Sequence, residues 1–174
     1  MRLFFALYPD AVTRERLSKA AAQLKIAGRA RPVAPENFHV TLAFVGEAAD
    51  RDLPIFRRTG ATLGLRRCAI ELDAFEYWPS SWAIVLAAGE NPRVLAAQTD
   101  LLRAAVAVHV GAKPEESRWR AHATLARKVT QAPVLPAMSP IIWVSDSFSL
   151  MRSDTGGSES VYTVVDSWPL LDKT

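Results

Sequence analysis

Residues 39–46 read His39-Val40-Thr41-Leu42-Ala43-Phe44-Val45-Gly46, and residues 122–127 read His122-Ala123-Thr124-Leu125-Ala126-Arg127. The shared string H-x-T-L-A recurs after 83 positions in a chain of 174 residues, close to half its length. The chain has 3 histidines, and two of them head this string. At average usage of roughly 6% Thr and 10% Leu, such a recurrence by chance is on the order of 1 in 10,000. Each copy is short and apolar, as a buried strand would be. Side chains alternate along a strand, so His39 and Thr41 share one face, and so do His122 and Thr124. The same alternation sends Val40, Leu42 and Phe44 to the other side, into a core. Two similar lobes follow, each offering one His–Thr pair to a shared cleft, within a single bilobal domain spanning 1–174.

The elements around the two strings can be read outward from them. Leu3 to Tyr8 is a short aromatic-rich run, a first strand that Pro9-Asp10 stops. Asp10 suits the N-cap of a helix over 11–27, with Gly28 closing it. Phe38 to Val45 forms the next strand and Gly46 ends it. A helix near 51–64 is interrupted by Gly60 and Gly64. Cys68 to Phe75 and Trp82 to Ala88 read as strands around the turn Trp78-Pro79-Ser80-Ser81. Asn91-Pro92 opens the clearest helix, whose apolar positions run from Val94 to Val108. Arg118 to Ala126, Ile141 to Leu150 and Val161 to Val165 complete the strands, with a proline-bearing loop at 130–140 and a Ser/Gly-rich one at 153–160. The order mixes helices and strands without a strict βαβ rhythm. It predicts an α+β fold of two mostly antiparallel sheets facing a central cleft, with helices outside.

Composition narrows the function. The chain is 49% hydrophobic and 22% charged, with 21 basic and 18 acidic side chains, which is ordinary globular composition. The single cysteine, Cys68, excludes a disulfide framework and paired-cysteine zinc or redox motifs. A reduced, cytoplasmic setting is the expectation. The six-residue run Leu3–Tyr8 is too short for a signal core or a membrane span. Neither a phosphate loop nor a Gly-x-Ser-x-Gly elbow is present.

The paired histidines carry the chemistry. Two imidazoles on opposite sides of a phosphorus serve as general base and general acid, because their pKa lies near neutrality. Two threonine hydroxyls can donate to the non-bridging phosphate oxygens as charge shifts. Neither a metal nor a covalent nucleophile is needed, and no His/Cys/Asp/Glu spacing suggests a metal site.

With these motifs in view, the sequence resembles the two-histidine phosphoesterases, and among them the bacterial RNA 2',3'-cyclic phosphodiesterases, also called 2'-5' RNA ligases. The family's first motif, H-x-T-L-x-F followed by a hydrophobic residue and Gly, is matched by residues 39–46. Its second, H-x-T-L-x-R, is matched by residues 122–127. Arg2-Leu3-Phe4-Phe5-Ala6, Arg31-Pro32-Val33, Phe148, Leu150, Tyr162 and Trp168-Pro169-Leu170 are also similar, so the resemblance spans the chain. Ala121 stands where the family often has proline, and Ser80-Ser81 where it is often richer in arginine. The resemblance implies hydrolysis of RNA 2',3'-cyclic phosphate ends to 2'-phosphomonoesters, with reversible 2'-5' RNA ligation. It implies His122 as base, His39 as acid, Thr41 and Thr124 on phosphate oxygens, and Arg127 gripping the anion. It implies a metal-independent reaction without cofactor and RNA as partner; the lack of a long apolar segment argues against a membrane, and nothing in the sequence demands an oligomer, so a monomer is the expectation. Arg127 has the wrong parity for a regular strand facing the cleft, so the strand ends or twists there, or the long side chain curls back.

Two other functions remain open. One keeps the chemistry and acts on small cyclic nucleotides or ADP-ribose cyclic phosphate. The other is an RNA-end-binding module without turnover. His109 reads as a helix C-terminal histidine that favours the dipole. Trp78, Trp82, Trp119 and Trp143 are candidates for base stacking or for packing, and none is singled out. Phe4 or Phe5 could line the cleft floor.

Overall fold

The computed structural model describes residues 1–113, 118–154 and 161–172. Its strands are β1 (Arg2–Leu7), β2 (Arg31–Pro32), β3 (Val40–Glu47), β4 (Ala69–Leu72), β5 (Ala74–Trp78), β6 (Ala83–Ala87), β7 (His122–Arg127), β8 (Ile141–Val144), β9 (Ser147–Asp154) and β10 (Val161–Pro169). Its α-helices are α1 (Ala11–Ala22), α2 (Leu53–Leu63) and α3 (Arg93–Val110). The α+β class with antiparallel sheets holds. Seven strands run in the order β10-β9-β1-β3-β7-β6-β5, β2 joins beside β7, and β4 and β8 make a small second sheet. The two halves that carry the repeated strings belong to one sheet, and β3 meets β7 through a single pair, Val40 opposite Ala123.

One face of this sheet is the core. Leu3, Phe5 and Leu7 of β1 pack there with Val40, Leu42, Ala43 and Val45 of β3 and with Ala123 and Leu125 of β7. All three helices contribute to it, through Leu17, Phe56, Leu95, Leu102 and Val106. The opposite face carries smaller apolar patches. Phe4, Ala6 and Met151 form one, and Ala83, Val85 and Ala87 form another.

Several sequence expectations shift. Asp10 does cap α1, accepting from the Thr13 amide at 2.6 Å, but the helix ends at Ala22, five residues short. The stretch 68–75 divides into β4 and β5, which enter different sheets. The stretch 141–150 divides into β8 and β9 in the same way. Gly46 does not end β3; it continues within the strand at φ +83°. Strand β7 starts at His122 rather than Arg118, because side-chain bonds hold the preceding segment. Asn91 Oδ1 accepts from the Ala121 amide, and Asn91 Nδ2 donates to the Trp119 carbonyl. The loop at 153–160 lies, from residue 155 onward, outside the described residues, as does 114–117 of the loop after α3.

Gly60 sits inside α2 for a steric reason. A Cβ there would lie 2.5 Å from the Trp168 ring, which itself packs on Phe148 and Phe5. Gly60→Ala is therefore expected to destabilise the fold by roughly 1–3 kcal/mol through overpacking, despite alanine's better helix propensity. Thermal unfolding would show it as a Tm lower by several degrees; an unchanged or raised Tm would mean that the indole moves aside at no cost.

Candidate active site

The two repeated strings share one irregularity. Opposite β3, Phe5 pairs with Ala43 and Ala6 with Thr41, so Leu42 is left as a bulge residue. Opposite β7, Ile84 pairs with Ala126 and Val85 with Thr124, so Leu125 is left as the equivalent bulge. An extra residue resets the alternation of side chains. Leu and the following Ala then both avoid the face of the histidine, and the next residue returns to it. Phe44 thereby leaves the core and is 71% exposed, contrary to the simple alternation. Arg127 is brought onto the face of His122, which removes its parity problem. The register confirms the sharing of faces: Ala6 lies beside Thr41 and Phe4 beside Phe44, while Ala87, Val85 and Ala83 lie beside His122, Thr124 and Arg127.

The pair Val40–Ala123 relates the two strings by a local two-fold axis. Continuing that antiparallel register by one residue each way sets His39 across from Thr124 and Thr41 across from His122. His39, His122 and Arg127 lie near enough on the helix-free face to act on one another's charge. His39 and Arg127 share a cavity of about 380 Å³ with Arg2, Phe4, Phe44 and Tyr162.

Each histidine is fixed by the same device. His39 Nδ1 lies 2.7 Å from the Asn37 carbonyl oxygen, and His122 Nδ1 lies 2.8 Å from that of Arg120. A carbonyl oxygen only accepts, so the Nδ1 carries the proton and donates it. Nε2 is then the atom left to take up or release a proton in both rings. The backbone of the first string is held from the second half, where Trp119 Nε1 donates to the Thr41 carbonyl oxygen at 2.9 Å.

The surroundings of the two rings differ. His39 is enclosed by Phe4 (5.1 Å between centroids), Tyr162 (5.2 Å, edge-on) and Tyr8 (5.8 Å, stacked). Burial pushes its pKa down to about 4, with the Arg127 and His122 charges pressing the same way and the Asn37 bond opposing. His122 lies 4.4 Å from the Trp78 ring. Burial lowers its pKa too, aided by Arg127 and Arg120, while the Arg120 carbonyl and the Glu76 carboxylate oppose. Arg127 thus acts electrostatically on both histidines. The Tyr8 hydroxyl is buried without a hydrogen-bond partner among the described residues, and burial raises its pKa.

Sequence reading placed the histidines, threonines and Arg127 and left Tyr8, Tyr162 and Glu76 unassigned; among the tryptophans it did not single out Trp78. Phe4 lines the cleft, whereas Phe5 is in the core. Trp143 and Trp119 are buried, and His109 is exposed in the last turn of α3. Among the described residues no three His, Cys, Asp or Glu side chains are grouped to hold a metal ion, and no helix is long and apolar enough to cross a membrane.

The family described as LigT like Phosphoesterase matches residues 7–82. A Thermus thermophilus protein named RNA 2',3'-cyclic phosphodiesterase is 28% identical over 187 residues, covering 98% of this chain and 90% of that protein. An Escherichia coli K12 protein of the same name is 28% identical over 171 residues, covering 97% and 96%. The crystal structure of E. coli LigT complexed with 3'-AMP superposes with a TM-score of 0.87 at 27% identity, covering 97% of each chain.

Proposed function

We propose, from the premise that this chain belongs to the LigT-like phosphoesterases of the two-histidine superfamily, that it opens 2',3'-cyclic phosphate ends of RNA to 2'-phosphomonoesters without a metal ion. The observation that carries this reading is the matched pair of imidazoles, each with Nδ1–H tied to a carbonyl two residues upstream and each beside a threonine. Relatives that match nearly the whole chain bear the name of this activity, and a structural neighbour at 27% identity binds 3'-AMP.

In the proposed step a water oxygen attacks phosphorus while His122 Nε2 takes its proton. The P–O3' bond breaks, and His39 Nε2 delivers a proton to the departing O3'. The Thr41 and Thr124 hydroxyls donate to the non-bridging oxygens, and Arg127 offers its planar fork to the same anion. Burial leaves both histidines neutral in the free protein at pH 7. The phosphate anion favours the protonated form, so substrate itself draws the required proton into the site. In 2'-5' ligation a 5'-hydroxyl takes the place of water, the same P–O3' bond breaks and the two histidines keep their roles; cleavage of that linkage by attack of O3' exchanges them. The protein is proposed to act as a monomer within a single bilobal unit, in the cytoplasm.

The test is one incubation, in EDTA, of a short RNA ending in 2',3'-cyclic phosphate. A 2'-phosphomonoester is expected. Opening of small cyclic phosphates alone would move the substrate assignment, and bound but unaltered RNA, with or without added metal, would leave a binding module.

A further inference from the structure

Behind His122 lies a polar network that the proposed reaction does not use. Glu76 and Trp78 are on β5, two residues apart and therefore on one face, opposite Val85 and Ala83 of β6. Glu76 meets the Arg120 guanidinium through both carboxylate oxygens, with Oε1 at 2.6 Å from Nη2 and Oε2 at 2.8 Å from Nη1. The same Oε2 accepts from Trp78 Nε1 at 2.8 Å. Arg120 Nε donates to the Ala88 carbonyl at 2.8 Å, which ties its side chain to the end of β6. The Arg120 carbonyl in turn receives the His122 Nδ1 proton, and the Trp78 ring lies on His122.

Two independent lines therefore converge on one carboxylate. Through Arg120, Glu76 fixes the backbone that selects the His122 tautomer. Through Trp78, it fixes the ring that limits how the imidazole can turn. A two-pronged carboxylate–guanidinium contact is directional, so it sets an orientation as well as a distance. On the His39 side the Nδ1 partner belongs to Asn37, and the neighbouring rings are those of Phe4, Tyr8 and Tyr162.

Resting on the phosphoesterase reading above, we infer that Glu76 is a positioning residue for His122, acting through Arg120 and Trp78 to hold one of the two histidines in its working orientation. It need not touch substrate. Because it also places a negative charge near the imidazole, its removal changes a property that packing alone would not. The charged or titratable groups acting on His122 are Glu76 from β5, Arg120 and Arg127 from its own segment, and His39 from the residue just before β3.

The test uses Glu76→Gln, Glu76→Asp and Arg120→Lys in the full chain, read by imidazole nitrogen NMR and by steady-state kinetics. Glu76→Gln keeps an acceptor for Trp78 and loses the charge. It is expected to lower the His122 titration midpoint by about half a unit and to leave His39 nearly unmoved. It is expected to cut kcat about tenfold with KM changed less than threefold, since an orientation fault acts mainly on the chemical step. Glu76→Asp, which keeps the charge, is expected to restore the midpoint. Arg120→Lys, which keeps the charge but not the fork, is expected to reduce kcat with a smaller change in midpoint; it also serves if Glu76→Gln does not fold. An unmoved His122 midpoint with kcat within twofold of wild type would overturn the inference and leave Glu76 a rim ion pair. A moved midpoint in a protein that turns over no cyclic phosphate would sustain the positioning role while sinking the phosphoesterase reading.

Discussion

Replacing His122 by alanine is expected to lower kcat for cyclic-phosphate opening by roughly 10²- to 10⁴-fold, the range over which a positioned acid or base contributes. His39→Ala is expected to fall in the same range. Binding of the RNA end should survive both, because Thr41, Thr124, Arg127 and the aromatic walls remain. The double variant should be little worse than the poorer single one, since the two rings act as one relay and each is idle without the other. Single-turnover assays with the cyclic-phosphate RNA, alongside binding at the same pH, measure this. Full activity in either single variant would remove the paired-histidine mechanism. The wild-type pH profile carries the matching signature. Burial holds His39 at about 4 and lowers His122 below its ordinary value, so both limbs of kcat/KM should lie below about pH 6.5. The acid limb marks both rings protonated and the alkaline limb both neutral. The limbs of kcat should lie higher, because the bound anion raises both.

Arg127→Ala is expected to reduce kcat/KM by roughly 10- to 100-fold, the cost of losing a charge-assisted contact to an anion. It has a second consequence of opposite kind. The guanidinium lowers both histidine pKa values, so removing it should shift both limbs of the kcat/KM profile to higher pH. Arg127→Lys separates the two effects. It retains the charge and should keep the limbs in place, while losing the planar fork and several-fold of the rate. An alanine variant with neither a rate loss nor a moved limb would show that Arg127 faces solvent and leaves the phosphate alone.

How Arg127 reaches the cleft marks where the sequence was readable and where it was not. The histidines and threonines were legible because they lie before the irregularity, where strict alternation still applies. Phe44 and Arg127 lie after it. A bulge at Leu42 and another at Leu125 exchange the faces of the residues that follow, and in β3 a second irregularity at Val45 exchanges them again. The signal was present twice, as Leu-Ala inside each string, but adjacent apolar residues also suit a strand buried on both faces. The α+β class and the clearest helix were legible from caps and period. The break between β4 and β5 was not, because Glu71 and Asp73 alternate with apolar residues as in one continuous strand, and the role of Asp73 is revealed by its partner, the Gly89 amide at 2.8 Å. Tyr8, Tyr162, Trp78 and Glu76 were hidden for a different reason. Their nearness to His39 or His122 is created by strand pairing between distant segments, which no local pattern encodes.

The strand order also sets a schedule for assembly. The half of the sheet around His122 is built from β5, β6 and β7, and its first pairing is a short hairpin. The half around His39 depends on β1, which must find β9 across nearly the whole chain, with Phe5 beside Leu150. Its aromatic enclosure joins Phe4 and Tyr8 from the first strand region to Tyr162 from the last. Closing so long a loop is entropically slow, and pairings of high sequence separation form late. A chain emerging from the ribosome is therefore expected to complete the surroundings of His122 well before those of His39, whose aromatic enclosure closes only when β9 and β10 have docked.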